Sequence, residues 1–273
     1  MNTQIAPIDR TSAEAFHDRI AHDACPLCNA TDFEPLEDAD CSRHPAWKPP
    51  LSPRMTWMAC RSCDHIFTEG YLSPAALDLI SEQIQAHQRP AENVEAGRNA
   101  SATIVGKVQT LKRSGRWLDV NFGNGSLMFT AQECGFEVLG IDRRREIVDE
   151  MGTLGFLAEC RDLGDVADLE PVDVISMVGS LERTTFPADA VDAAARLLAP
   201  GGILVISTPN TDAFLWQVMT KQKTNPYWAD VTQQHIFGRT RLFKMLEASG
   251  FDTPLYTVSS TLRCGMDVLA RKA

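Results

Sequence analysis

The stretch from Arg116 to Arg143, RWLDVNFGNGSLMFTAQECGFEVLGIDR, constrains the fold more than any other part of the chain. Trp117, Leu118 and Val120 form a short apolar run that reads as a buried strand. A glycine-bearing turn follows (Gly123, Asn124, Gly125), and Ser126 stands where a helix would be capped. Leu127, Ala131 and Cys134 then share one side of a helix that stops at Gly135. A second strand runs from Glu137 to Ile141, with Asp142 at its end. The pattern is a βαβ unit with a glycine-rich first crossover, which sets a nucleotide-like ligand at the carboxyl ends of parallel strands. Asp142 lies 19 residues after Gly123, about the distance at which an acid reaches a ribose hydroxyl.

The spacing within the turn narrows the ligand. It reads D-x-N-x-G-x-G (Asp119, Asn121, Gly123, Gly125), without the third glycine that the pyrophosphate of a nicotinamide dinucleotide requires. Asn121 takes the first small-residue position, and after glycine asparagine best tolerates a positive φ.

With 273 residues, the chain is long enough for one α/β domain and a small module. No apolar run approaches the roughly 20 residues of a membrane span, and the N-terminus shows no secretory signal. A cytoplasmic location follows as an expectation, in which the eight cysteines are thiols or metal ligands rather than disulfides. The net charge of −10 argues against a large nucleic-acid footprint.

Residues 1–22 read as a tail or short peripheral helix. Residues 23–72 carry two knuckles, Cys25-Pro-Leu-Cys28 and Cys60-Arg-Ser-Cys63, separated by 31 residues. Each presents two thiolates from one tight turn, so the pair predicts a tetrahedral four-cysteine site for structural zinc within a zinc ribbon. The redox alternative needs a CxxC opening a helix beside a βαβ unit, and neither knuckle has that setting. Cys41, His44 and His65 are spare ligands, read as loop or surface residues. Between Asp23 and Gly70 eight acids face four basic residues, the wrong sign for gripping RNA. This module is therefore expected to pack on the main domain and help to wall a substrate pocket.

Residues 73–112 read as a helical connector: Ser73-Pro74 starts one helix to about Ala86, and a second runs from about Ala91 to Lys112. Residues 113–273 read as the main domain. Beyond Asp142, strands are expected over 155–160, 173–178 and 202–208, with a helix from about Ala188 to Ala199 that stops at Pro200-Gly201-Gly202. A last helix over 240–249 precedes strands over 251–258 and 266–270. The arginines at 143–145 read as mostly solvated, because positive charge is unfavourable at a helix start.

The D-V-N-F-G-N-G turn, Asp142, and the string LLAPGGILVISTPN (197–210) together resemble the class I S-adenosylmethionine-dependent methyltransferases of the type 11 and type 12 groups, over roughly residues 90–273. The resemblance implies a doubly wound α/β sheet of seven mostly parallel strands, whose last two form an antiparallel edge. It implies that Asp119, Asn121, Gly123, Gly125 and Met177 surround the cofactor, that Asp142 holds its ribose, and that Asp162 holds its adenine. Arg98, on the helix before the first strand, is the expected partner of the cofactor's carboxylate. Leu181-Glu182-Arg183 resembles an L-E-H segment beside the transferred methyl group, with Arg183 in the histidine's place. Gln234-His235-Ile-Phe-Gly-Arg239 resembles an H-x-F-S-R element. His235 is accordingly the expected general base, Glu182 a second candidate, and Tyr227 a residue that orients the acceptor. Similarity to ribbon-bearing bacterial sugar methyltransferases implies a small-molecule or sugar-type acceptor, with no nucleic acid and no membrane as partner. A non-catalytic cofactor-binding relative is the alternative, since Asn121, Arg183 and the Gln233-Gln234 pair depart from the family together. An RNA methyltransferase is disfavoured by charge.

Overall fold

The computed structural model describes residues 16–85, 88–260 and 262–273; the expected tail over 1–15 and the end of the first helix at Ala86 lie outside them. In chain order the elements begin with β1 (Arg19–Ala21), β2 (Phe33–Asp40), β3 (Arg54–Cys60), β4 (Ile66–Thr68), β5 (Gly70–Leu72), α1 (Pro74–Gln85) and α2 (Val94–Gln109). The βαβ unit follows as β6 (Gly115–Val120), α3 (Ser126–Glu133) and β7 (Phe136–Ile141), then α4 (Arg145–Thr153), β8 (Leu157–Glu159) and β9 (Val172–Val178). The remainder is α5 (Pro187–Leu197), β10 (Leu198–Pro209), α6 (Phe214–Lys221), β11 (His235–Ile236), α7 (Arg239–Ala248), β12 (Phe251–Val258) and β13 (Gly265–Lys272).

Seven strands make the main sheet in the order β12-β13-β10-β9-β6-β7-β8. β13 runs antiparallel to both neighbours, and the pairings from β10 across to β8 are all parallel. The order reverses between β6 and β9, the switch point at which open α/β sheets bind ligands. Alternation along β6 divides the core. Leu118 and Val120 face one side with Ile175, Leu204 and Leu246, while Trp117 faces the other with Val105, Met128 and Val205.

Two local expectations change. Ser126 is not the cap of α3; Gly125 takes that position at φ 80°, and Asn124 Oδ1 accepts from the Ser126 amide at 3.2 Å. The Ser126 hydroxyl instead lies 3.1 Å from that of Ser101, so it ties α3 to α2. Part of the segment read as a tail is a strand, because β1 pairs with β5 from Arg19 to Ala21.

The N-terminal module is not self-contained. Its four-stranded sheet has the order β11-β4-β3-β2, so one strand comes from the segment between α6 and α7. The core beneath it mixes Leu51, Met55 and Trp57 with Ile80 of α1, Trp216 and Met219 of α6, and Val231 and Ile236. Trp57 is fully buried, and its indole N–H donates to the Trp228 carbonyl at 2.8 Å.

Candidate functional site

A cavity of about 660 Å³ opens at the carboxyl ends of β6, β7, β8 and β9. That volume suits a ligand of cofactor size with room for a second molecule. One end is built from the βαβ unit: Asp119, Val120, Asn121, Phe122 and Gly123 line it, together with Asp142, Asp162 and Met177. Asn121 has φ 56°, the left-handed conformation its side chain tolerates, and its amide donates to the Ile141 carbonyl at 2.8 Å. Gly123 (φ 60°) leaves space beside the turn, since a Cβ there would meet only Gln88 Oε1 at 3.7 Å. These positions leave the backbone open to a ligand, as S-adenosylmethionine would require.

Charge within this end is organised by burial. Asp142 closes β7 with its side chain only 2% exposed. Arg144 folds back onto it, donating from its backbone amide and Nε to Oδ1 (3.0 and 2.8 Å) and from Nη2 to Oδ2 (2.5 Å). The arginine read as solvated is thus a bidentate partner of the ribose candidate, which fixes the carboxylate's rotamer and leaves one acceptor site free on Oδ2. Asp119 is buried beneath the turn. Burial pushes its carboxyl up to about 7, opposed by the Ser176 hydroxyl donating to Oδ1 at 2.5 Å and aided by the charge of Asp142. Asp162, half exposed, is also raised by burial, with Arg143 Nε 3.4 Å away opposing the shift.

Five expected site residues do not reach the cavity wall. Gly125 serves packing: a Cβ there would run into the Met151 methyl group. Arg98 pairs with Glu133 at the surface of the α2–α3 pair, outside the cavity lining. His235 is fully buried, and both ring nitrogens are engaged: Nδ1 lies 3.1 Å from His65 Nε2, and Nε2 lies 3.2 Å from the Thr185 carbonyl oxygen. Burial drives it down to about 3, so it stays neutral and has no nitrogen left to take a proton from an acceptor. Glu182 is buried behind Gly179, and desolvation raises its carboxyl. Tyr227 stacks on Trp216 within the shared core, and burial raises its phenol to about 12. These three residues are packed behind the cavity rather than on its wall.

The other end of the cavity is built by residues that sequence reasoning did not assign. Leu72 of β5 and Leu77, Ile80, Ser81 and Ile84 of α1 line it, as do Arg183, Thr184, Thr185, Phe186 and Thr232. The 77-80-84 spacing is a helical stripe visible in the sequence, but a stripe does not say whether it faces core or cavity. Gln234 ties the two groups together: its Oε1 accepts from the Leu72 amide at 2.8 Å, and its Nε2 donates to the Arg183 carbonyl at 2.7 Å. With His235 held on the Thr185 carbonyl, the backbone of 183–185 is anchored twice.

Away from the cavity, Cys25, Cys28, Cys60 and Cys63 converge, their sulfurs all within 4.8 Å of one another. Cys25 and Cys63 are 3.7 Å apart, and Cys28 and Cys60 are 3.5 Å apart. A tetrahedral ion with metal–sulfur bonds of about 2.3 Å sets its sulfurs about 3.8 Å apart, so the donor set fits zinc. Cys41 and His65, read as loop or surface residues, are buried but stand outside this group.

Comparison with known proteins agrees with this geometry. A ubiquinone biosynthesis O-methyltransferase of Psychrobacter cryohalolentis is 28% identical over 152 residues, covering 51% of this chain and 54% of the relative. The chain thus spans about half the length of the curated relatives it matches. Among solved structures, a Burkholderia thailandensis 1,6-didemethyltoxoflavin-N1-methyltransferase with S-adenosylhomocysteine bound superposes with a TM-score of 0.57 at 16% identity, covering 77% of this chain and 96% of that one. The [4+2]-cyclase SpnF superposes at 0.51 with 16% identity, covering 68% of this chain and 86% of that one, so the fold alone does not dictate a reaction. The family model of a methyltransferase domain matches residues 86–254, more than half of the chain. The chain belongs to the methyltransferase-domain family.

Proposed function

We propose that the protein transfers a methyl group from S-adenosylmethionine to a small-molecule acceptor. The observation that carries this reading is the cavity floored by the Asn121–Gly123 turn, with a buried carboxylate, Asp142, at the end of the adjacent strand. Asp142 would hold the ribose hydroxyls, Asp162 the adenine amino group, and the main chain of the turn the methionine part. The cofactor supplies a methyl group already activated as a sulfonium. The protein's work is then to align two reactants and exclude water, an effect that reaches roughly 7–11 kcal/mol in well-oriented reactions. Calorimetry with S-adenosylhomocysteine tests the cofactor half: Asp142→Asn and Asp142→Ala should each weaken binding at least about tenfold. Wild-type protein that binds no S-adenosylhomocysteine would overturn the proposal.

The sugar-type acceptor rests on resemblance alone. A lining of Leu72, Leu77, Ile80, Ile84 and Phe186 fits a flat or apolar body better than a row of hydroxyls. The removal of His235, Glu182 and Tyr227 from the cavity wall favours a second reading, a chain that binds the cofactor without transferring its methyl. Incubation with methyl-labelled cofactor and a panel of small acceptors separates the two, since only transfer moves the label.

The four cysteines are proposed to hold one structural zinc. Elemental analysis should find about one per chain, and Cys60→Ser should release it.

A further inference from the structure

We infer that the acceptor is a planar, ring-bearing anion, held by Arg183 on its charged group and by Phe186 on its ring. The inference rests on the methyl-transfer reading and adds the chemical class of the acceptor.

Arginines around the cavity differ in what already occupies them. Arg144 forks onto Asp142, Arg143 faces Asp162 at 3.4 Å, and Arg161 contacts both Glu159 and Asp168. Arg196 is exposed on α5, the helix that packs on the turn at 163–165 beside the adenine candidate. Arg183 lies in the turn after β9. The nearest carboxylate, Asp230, is 3.8 Å from its Nη2, beyond hydrogen-bonding distance. The other oxygen of that carboxylate, Oδ1, is held by His44 Nε2 at 3.2 Å and by the amide and hydroxyl of Thr232 at 3.0 and 2.6 Å, so Asp230 is anchored on its own segment while Oδ2 gives Arg183 a charge at a distance and no hydrogen bond. The Arg183 guanidinium therefore offers a fork of N–H donors, with its side chain 40% exposed, at the wall of a ligand-sized cavity. Such a fork matches the two oxygens of a carboxylate or phosphate.

Three residues on, Phe186 also lines the cavity, and 46% of it remains exposed although Tyr71 packs against its ring at 5.5 Å. A large aromatic left that open beside the apolar α1 wall provides a stacking face. The backbone that carries fork and ring is anchored, because Gln234 holds the Arg183 carbonyl and His235 the Thr185 carbonyl. One short segment thus presents a charge reader and a ring reader to the same volume.

The test uses full-length protein saturated with S-adenosylhomocysteine and matched pairs of ligands: 4-hydroxybenzoate, indole-3-carboxylate and phenyl phosphate, against the corresponding primary amides and phenol. Wild type should bind at least one anion tenfold or more tighter than its neutral partner. Arg183→Gln should abolish that preference, Arg183→Lys should retain part of it, and Phe186→Ala should weaken both members of a pair together. Affinity for S-adenosylhomocysteine should stay unchanged in every variant, which reports that fold and cofactor end are intact. Equal binding of anions and neutral partners by wild type, or a preference that survives in Arg183→Gln, overturns the inference. Failure to bind S-adenosylhomocysteine at all would instead remove the methyl-transfer reading beneath it.

Discussion

Asp119 shows how burial converts an ordinary side chain into a pH-responsive one. Its folded value, about 7, lies above the roughly 3.9 of an unfolded aspartate, so the native state holds the proton more tightly. The associated stabilisation is complete below about pH 4 and is lost as pH rises toward 7, on the order of 4 kcal/mol at most. Urea unfolding of Asp119→Asn should therefore gain on wild type steadily across that window. A difference that stays constant with pH would show that Asp119 does not titrate there. His235 makes a contrasting case. As a framework residue, His235→Ala should cost about 1–3 kcal/mol by leaving the Thr185 carbonyl and His65 without their partner, while S-adenosylhomocysteine affinity changes little. Asp119, Asn121 and Asp142 were legible because local spacing along one βαβ unit fixes where they stand. His235, Glu182, Tyr227 and Arg98 were not, because whether a polar side chain faces a cavity or the core depends on contacts made by distant segments.

At the scale of elements, hydrophobic period and turn residues carried most of the fold. β9 runs from Val172 to Val178 and α5 stops at Leu197, each within two residues of the boundaries expected from apolar runs and the Pro-Gly-Gly stop. β10 departs at its start: it opens at Leu198, ahead of the glycines, with an irregularity in its pairing to β9 before Ile203. The two-residue strand β11 had no signal, since His235-Ile236 has neither length nor alternation and is a strand only because β4 lies alongside it. The glycine-poor turn provides the test at this scale. Asn121 already adopts φ 56°, so Asn121→Gly should keep the fold and bind S-adenosylhomocysteine equally or better, with stability changed by no more than about 1 kcal/mol. Binding that appears only in the glycine variant would mean that asparagine blocks the site.

The molecule as a whole divides unevenly between the two ends of its cavity. The proposed cofactor residues are carried by the seven-stranded sheet, and the proposed acceptor residues by α1, β5 and the 183–186 segment, braced against the cysteine-bearing sheet through Gln234 and His235. Chelation of the proposed zinc should therefore abolish binding of the anionic probes while leaving S-adenosylhomocysteine affinity within about twofold. Equal loss of both would show that the sheet and the ribbon stand or fall together. Trp57 offers a metal-independent check: Trp57→Ala should destabilise the protein by about 3–5 kcal/mol.

The placement of β11 also bears on the order of events at the ribosome. The ribbon's cysteines are among the earliest described residues to be made, yet its sheet closes on a strand whose His235 meets His65 across 170 positions of sequence. Closing so long a loop is entropically slow, and the strand that rewards it is synthesised late. An emerging chain must carry four thiols and an unpaired β4 edge until residues 235 and 236 have been made, so metal capture by the knuckles and completion of the sheet are separated in time. Zinc bound early would hold the two knuckles together and shorten the search that the late strand has to make.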